Sequence, residues 1–301
     1  MVGSGMRKAF LLGAGLGTRL KPLTNTLPKP LIPVANRPLV THAMDQLVAA
    51  GITDIAINTH HLPEAWEAAF PEKKYRNADL TFFHEPVLLE TGGGLKNIDE
   101  WIGHDSFLIY NGDILTDLPL ERLMTGHMMS NNTVTLAVRA DGPAKKITVD
   151  GRRIIDIRGE VAGLPGTHQF TGIYCADAEL LDLIPPNEKI EVIPALQELV
   201  RRKELGAYEV KECHWLDLGE RKSYLEAAFL QAGEISPNAR VHPGAVIENS
   251  WIGDEAVVEP GAIVKNSILW PRTHVSGDAE LTNCIVHSNS PASGVHQDAD
   301  L

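Results

Sequence analysis

The chain has 301 residues, 44% of them hydrophobic and 22% charged, which suits a globular protein of one large and one small domain. A formal net charge of −12 argues against general nucleic-acid or anionic-membrane binding, because phosphate-rich partners need a basic face. Cys175, Cys213 and Cys284 lie far apart with no CxxC spacing, which argues against a disulfide scaffold or zinc site, and no apolar run approaches the ~20 residues of a membrane helix; a cytoplasmic protein is expected.

The five residues before Met6 lack a signal-peptide core and read as an added leader, with Met6 the expected native start. Lys8–Leu12 reads as a strand that opens into Gly13-Ala14-Gly15-Leu16-Gly17-Thr18. Glycines at 13, 15 and 17 let backbone amides approach an anion with no Cβ in the way. Arg19 and Lys29 add fixed positive charge, and Pro22, Pro28, Pro30 and Pro33 stiffen the loop between and beyond them. A strand that opens into a glycine-rich cationic loop suits an enzyme handling a nucleoside triphosphate. The loop lacks the P-loop pattern, and Thr18 and Leu20 stand where a dinucleotide fingerprint needs glycine.

Further strands are expected at 54–58, 80–83 and 107–110, with amphipathic helices at 38–50, 63–70 and 93–101 between them. This alternation predicts an α/β fold, Rossmann-like, with a mixed, mostly parallel sheet and helices on both faces. Ligands of such sheets sit at the carboxyl ends of the strands, where both the glycine loop and Asn111-Gly112-Asp113 fall. Strands are then expected at 133–139, 147–149, 153–157, 169–175 and 207–213, and helices at 177–183, 192–203 and 221–232. Asp113 and, in Trp215-Leu216-Asp217-Leu218-Gly219, Asp217 each end a strand and could hold Mg²⁺, which binds through one or two carboxylates plus phosphate oxygens.

From Ile235 the aliphatic positions recur as Ile235, Val241, Ile247, then Ile252, Val258, Val264, then Leu269, Val275, Leu281, then Val286. The steps of 6, 6 and 5 return every 17 residues, with small residues such as Ala239, Ala256 and Ala279 at corners. Three short strands per turn describe a prism-shaped parallel β-helix. From Ser288 the pattern stops, and 288–301 reads as a loose tail.

The string Gly15-x-Gly17-Thr18-Arg19-Leu20-x-Pro22-Leu23-Thr24, followed by Pro28-Lys29-Pro30-Leu31-x-Pro33-Val34, resembles the signature of the sugar-nucleotidyltransferases, the NDP-sugar pyrophosphorylases. The C-terminal repeat is similar to the left-handed β-helix of hexapeptide-repeat proteins. Together they imply a catalytic domain over 6–232 and a left-handed β-helix over 233–287. The implied reaction joins a nucleoside triphosphate to a sugar 1-phosphate and releases pyrophosphate.

The resemblance implies Arg19, Lys29 and Asp113 as catalytic residues and Asp113 with Asp217 as Mg²⁺ ligands. It places the nucleotide along Leu12, Gly13, Ala14, Gly15, Gly17, Thr18 and Arg19, and along Glu85, Glu90, Thr91 and Gly92 in the His84–Gly94 segment. Amides at the Thr91–Gly94 helix entry are expected to meet the nucleotide. A carboxylate at Glu85 suits the N1–H and N2–H₂ donors of guanine, which favours GTP with a mannose- or heptose-type sugar. The strings Leu89-Glu90-Thr91-Gly92-Gly93-Gly94 and Asn111-Gly112-Asp113-Ile114-x-Thr116-Asp117 resemble uridylyltransferases acting on N-acetylmuramate 1-phosphate, so UTP stays open.

Many relatives hold the sugar phosphate with a Glu-Lys-Pro lysine; here Ile157-Arg158-Gly159 stands in its place, and Arg158, Thr171, Gly172 and Glu191 are the expected sugar-side residues. A CTP-dependent enzyme with a phosphocholine acceptor, a hexapeptide acyltransferase using His242, His274 or His287, and a non-catalytic sugar-nucleotide-sensing subunit are the other readings. The open end of a β-helix implies packing on a second protomer, giving a homo-oligomer, or on the catalytic domain.

Overall fold

A computed structural model of the chain describes residues 5–230, 234–288 and 290–301. Most of the leader, the end of the helix expected at 221–232 and the expected junction at 232/233 lie outside the described residues. The chain divides into two compact units, Met1–Leu16 with His42–Trp215 and Gly17–Thr41 with Leu216–Leu301. The division therefore falls inside the glycine loop, between Leu16 and Gly17.

The first unit is built on one ten-stranded mixed sheet. Its strands run in the order Ile147–Asp150, Arg153–Ile157, Leu205–Glu209, Val134–Arg139, Gln169–Ala176, Phe107–Asn111, Lys8–Leu12, Asp54–Thr59, Ala78–His84 and Lys74–Tyr75. The four-strand part from Phe107–Asn111 to Ala78–His84 is parallel throughout. Gln169–Ala176 is antiparallel to both neighbours. Phe10, Phe107, Ile109 and Leu136 share a core with Leu95 and Leu196 from the helices Glu90–Asn97 and Ile193–Arg202. The alternate residues Ala9, Leu11 and Leu108 are equally buried, so both faces of these strands are covered. Burial of each such large side chain contributes about 1.5–3 kcal/mol.

Parallel register aligns the strand ends. Leu12 lies beside both Asn58 and Asn111, and Asn58 lies beside Phe83. Gly13, Asn58, Glu85 and Asn111 are thereby gathered at one edge of the sheet, although far apart in sequence.

In the second unit the 17-residue period is realised as stacked registers. Val241 pairs with Val258 and Val258 with Val275; Ile247 pairs with Val264 and Val264 with Leu281; Ile252 pairs with Leu269 and Leu269 with Val286. Three parallel sheets result, forming a parallel β-helix whose core is these aliphatics with Ala256, Ala262 and Ala279. Asn249, Asn266 and Asn283 turn its corners with positive φ, where asparagine is tolerated better than most residues.

The expectation of a loose tail is corrected. Ala292 bridges to Val275, and Val295–Gln297 pairs with Glu280–Thr282, adding a further coil. The Val275–Ala292 step is 17 residues but the Leu281–His296 step is only 15, so this coil is two residues short and the aliphatic period disappears from the sequence. No helix among the described residues is long and apolar enough to cross a membrane.

Candidate active site

In the second unit, Gly17 adopts the left-handed φ of 60° and begins a short 3-10 turn at Thr18–Leu20. A Cβ at position 17 would stand 2.7 Å from Thr24 Cγ2 and 3.2 Å from Lys29 Cβ, so glycine is needed both for conformation and for space. Lys29 is 8% exposed in a 3-10 turn stiffened by Pro28 and Pro30, and its Nζ lies 3.7 Å from Asp217 Oδ1. Arg19 is exposed and donates to Glu220 Oε1 at 3.0 Å. Gly219 leaves room for Arg19 and Asp217 to approach. A Cβ there would lie 2.7 Å from Arg19 Nη2 and 2.9 Å from Asp217 Oδ1. Asp217, some 190 residues on in sequence, is thus brought to Arg19 and Lys29. Tyr224 braces the proline loop: its hydroxyl donates to Pro33 O at 2.6 Å and accepts from Trp270 Nε1 at 2.9 Å.

In the first unit the glycine loop is only partly an amide cradle. Gly13 N donates to Asn58 Oδ1 at 2.8 Å, and a Cβ there would lie 2.8 Å from both Asn58 O and Trp66 Cζ2. Gly13 is therefore a close-packing glycine with a committed amide. Ala14 is buried, whereas Gly15 has no heavy atom within 4 Å of a built Cβ.

Asp113 follows the Phe107–Asn111 strand by two residues, after Gly112 N bonds to Leu12 O at 2.9 Å. Burial and then the Asp113 charge push the Tyr110 phenol far above its ordinary range. No group of three or more His, Cys, Asp or Glu side chains among the described residues is placed to hold a metal ion. Mg²⁺ needs fewer, and the hard, half-exposed oxygens of Asp217 suit an ion that keeps waters and phosphate ligands.

Two expectations for the 84–94 segment are corrected. Glu85 is 1% exposed, and its oxygens accept from Asn58 Nδ2 at 2.8 Å and Leu89 N at 2.9 Å. Its carboxylate faces the protein interior, not a base. Gly92 N and Gly93 N both donate to Ile190 O, at 2.8 and 3.1 Å, so these amides do not face a nucleotide. A Cβ at 92 or 93 would collide with the 188–191 backbone at 2.8 and 2.4 Å. The glycines are there to let that segment dock.

A cavity of about 170 Å³ lies beside them, lined by Leu12, Glu90, Thr91, Asn111, Arg158 and Glu191 together with Phe170, Tyr174, Val192 and Ile193. It brings expected nucleotide-side and sugar-side residues into one place. Arg158 Nη1 lies 3.1 Å from Glu191 Oε2, while Glu90 Oε1 lies 3.5 Å from Lys189 Nζ. Arg158 has φ 60°, and the loop after it is held by the fully buried Asp156, which accepts from Val161, Ala162 and Leu164 N at 2.8–3.1 Å. Burial raises the Asp156 carboxyl, but these N–H donors prevail and hold it below the usual carboxylate range.

Thr171 and Gly172 play structural parts: Thr171 Oγ1 donates to Ala137 O at 2.9 Å, and a Cβ at 172 would meet Asn111 Nδ2 at 2.8 Å. Asn58, Asp156 and Tyr174 were not singled out from the sequence. Tyr174 is buried in the cavity wall, and its hydroxyl has no hydrogen-bond partner among the described residues.

Residues 8–232 match the nucleotidyl transferase family. A mannose-1-phosphate guanyltransferase from Candida albicans is 31% identical over 81% of this chain and 69% of its own length. One from Gibberella zeae is 32% identical over 76% of this chain and 65% of its own length, so the chain spans about two thirds of these relatives. Among solved structures, a UDP-glucose pyrophosphorylase from Acinetobacter baumannii superposes with a TM-score of 0.64 at 21% identity, covering 75% of this chain and 93% of that one; this likeness concerns the fold.

Proposed function

The chain belongs to the nucleotidyl transferase family, and on that premise we propose that it makes an NDP-sugar and pyrophosphate from a nucleoside triphosphate and a sugar 1-phosphate. The observation that carries this is the gathering of Arg19 and Asp217 at Gly219, with Lys29 beside Asp217. In the proposed reaction a sugar-phosphate oxygen attacks the α-phosphorus in line, a new P–O bond forms, and the α–β bridging bond breaks with its electrons leaving on pyrophosphate. The amides of Ala14, Gly15, Gly17 and Thr18 with Arg19 hold the β and γ phosphates, and Lys29 stabilises charge growing on the α-phosphate and leaving group. Asp113 and Asp217 serve as ligands for Mg²⁺, which when bound neutralises triphosphate charge. Arg158 takes the sugar phosphate, with Glu191 and the cavity wall along the sugar.

GTP with a mannose-type sugar 1-phosphate is the favoured pair, supported by the names of the curated relatives. It no longer draws on Glu85, whose carboxylate is turned inward, and the likeness of the 89–94 and 111–117 strings to uridylyltransferases keeps UTP with an amino-sugar 1-phosphate as the second reading. A catalytic domain over 6–232, a left-handed β-helix over 233–287 that the coil through Val295–Gln297 continues, and homo-oligomers formed through that helix belong to the same proposal. The deciding experiment is a panel of GTP, UTP, dTTP, CTP and ATP against several sugar 1-phosphates and phosphocholine, with pyrophosphate detected. GTP with mannose 1-phosphate should turn over fastest. Nucleotide binding without pyrophosphate release from any pair would favour a sensing subunit instead.

A further inference from the structure

Three parallel strands end side by side, and each contributes one group to a buried polar chain. Gly13 follows Lys8–Leu12, Asn58 is the penultimate residue of Asp54–Thr59, and Glu85 follows Ala78–His84. Gly13 N donates to Asn58 Oδ1 at 2.8 Å, Asn58 Nδ2 donates to Glu85 Oε1 at 2.8 Å, and Leu89 N donates to Glu85 Oε2 at 2.9 Å. The orientation of the Asn58 amide is dictated by its partners, since a backbone N–H can only donate and a carboxylate can only accept. A residue here must accept on one side and donate on the other within one short planar group, which an asparagine does and an aspartate or leucine does not. Asn58 is 2% exposed and Glu85 1%. Gly94 lies directly over the pair: a Cβ there would stand 2.9 Å from Asn58 Nδ2 and 3.0 Å from Glu85 Oε1.

A buried carboxylate is an expensive way to fill a core position, and apolar side chains of the same volume often serve stability as well or better. What a hydrogen-bonded chain adds is a fixed geometry between the segments it joins. Here those segments are the start of the glycine loop at Gly13 and the 85–89 turn that leads into Glu90 and Thr91. Resting on the nucleotidyl-transfer reading, we propose that Asn58 is a positioning residue for the nucleotide: through Gly13 and Glu85 it locks the phosphate-side loop and the 85–91 segment into one platform. It touches no substrate itself.

The test uses Asn58→Asp, Glu85→Gln and the double variant, with GTP and UTP as probes, mannose 1-phosphate as acceptor and Mg²⁺ present. Asn58→Asp keeps the acceptor for Gly13 but sets two carboxylates against each other. Glu85→Gln leaves one amide NH₂ facing a donor. The double variant restores every bond with the middle one reversed, the side-chain amide now at position 85 donating to the carboxylate now at position 58.

Each single variant should raise the nucleotide KM at least 10-fold, with the sugar-phosphate KM within 2-fold of wild type, and the double should return the nucleotide KM to within 3-fold. A merely structural role would lower the melting temperature and the active fraction without that split. Folded single variants with an unchanged nucleotide KM would overturn the proposal. So would singles that fail to fold beside a double that folds, which would make the chain a stability element. Wild-type protein that neither binds nor turns over either nucleotide would instead sink the functional reading on which the proposal stands.

Discussion

Replacing Lys29 by methionine tests the proposed chemistry most directly. Lys29 Nζ lies 3.7 Å from Asp217 Oδ1, with side-chain exposures of 9% and 44%. At that distance two unit charges attract by about 1 kcal/mol in water and by roughly 4–5 kcal/mol at an effective dielectric of ~20. Because Asp217 is nearly half exposed, the resting pair belongs near the lower figure, and its loss should cost the fold about 1 kcal/mol or less. Methionine keeps the buried stem packed, so no large cavity term is added. The transition state is different. Charge accumulates on the leaving pyrophosphate, and removal of one preorganised electrostatic contact typically lowers kcat by about 10²–10³-fold, or roughly 2.7–4 kcal/mol. Lys29→Met should therefore melt close to wild type yet lose at least ~100-fold in kcat, measured as pyrophosphate release with both substrates saturating. Lys29→Ala should lose as much activity with some extra loss of stability. A well-folded Lys29→Met enzyme within about 10-fold of wild-type kcat would refute the assignment of Lys29 to the developing charge.

Asp113→Asn and Asp217→Asn should each lower kcat by at least ~100-fold and raise the Mg²⁺ concentration for half-maximal rate, and an unchanged Mg²⁺ titration would exclude that residue as a ligand. Gly13→Ala places a Cβ 2.8 Å from Asn58 O and Trp66 Cζ2 and should destabilise by about 1–3 kcal/mol, whereas Gly15→Ala meets nothing within 4 Å and should change stability by no more than about 0.5 kcal/mol; denaturant melts of the two variants separate these cases. Asp156→Asn should be clearly less stable than wild type near pH 7, because the folded-state carboxylate sits below its unfolded value and its N–H bonds stabilise the fold only while it is ionised. That stability is present above the unfolded pKa of about 4 and is lost as pH falls through the lower folded value, so the stability difference between wild type and Asp156→Asn should shrink on acidification; a gap that stays constant would argue against the carboxylate as its source.

The parts of the fold legible in the sequence are those set by repetition and local pattern. The 17-residue aliphatic period becomes register pairs such as Val241–Val258 and Val264–Leu281 because stacked coils of equal length must align equivalent positions. Where the last coil shortens by two residues the signal vanishes, yet Ala292 and Val295–Gln297 still stack. Arg19, Lys29 and Asp217 stand out in the sequence by residue type and motif, and the structure sets Lys29 Nζ 3.7 Å from Asp217 Oδ1. Asn58 does not stand out. Inside an apolar strand it reads as one polar position among many, and only the alignment of three strand ends shows that it faces both Gly13 and Glu85.

The same limit explains the glycine triplet at 92–94. From sequence, a glycine-rich helix start suggests open amides that meet the nucleotide, because glycine permits close approach and does not say of what. The partner turns out to be the chain itself. Gly92 and Gly93 N donate to Ile190 O, and Thr91 Oγ1 accepts from Val192 N at 3.0 Å, so residues 190–192 are pinned to the helix start on both sides of Glu191. Glu191 is thereby held where it meets Arg158 across the cavity wall. Gly94, one residue on, clears space for Asn58 and Glu85 instead. Three consecutive glycines thus serve two ends of the proposed substrate path. Two fix the sugar-side pair and one leaves room for the chain of bonds behind the phosphate loop, which is why the segment cannot be assigned to the nucleotide base alone.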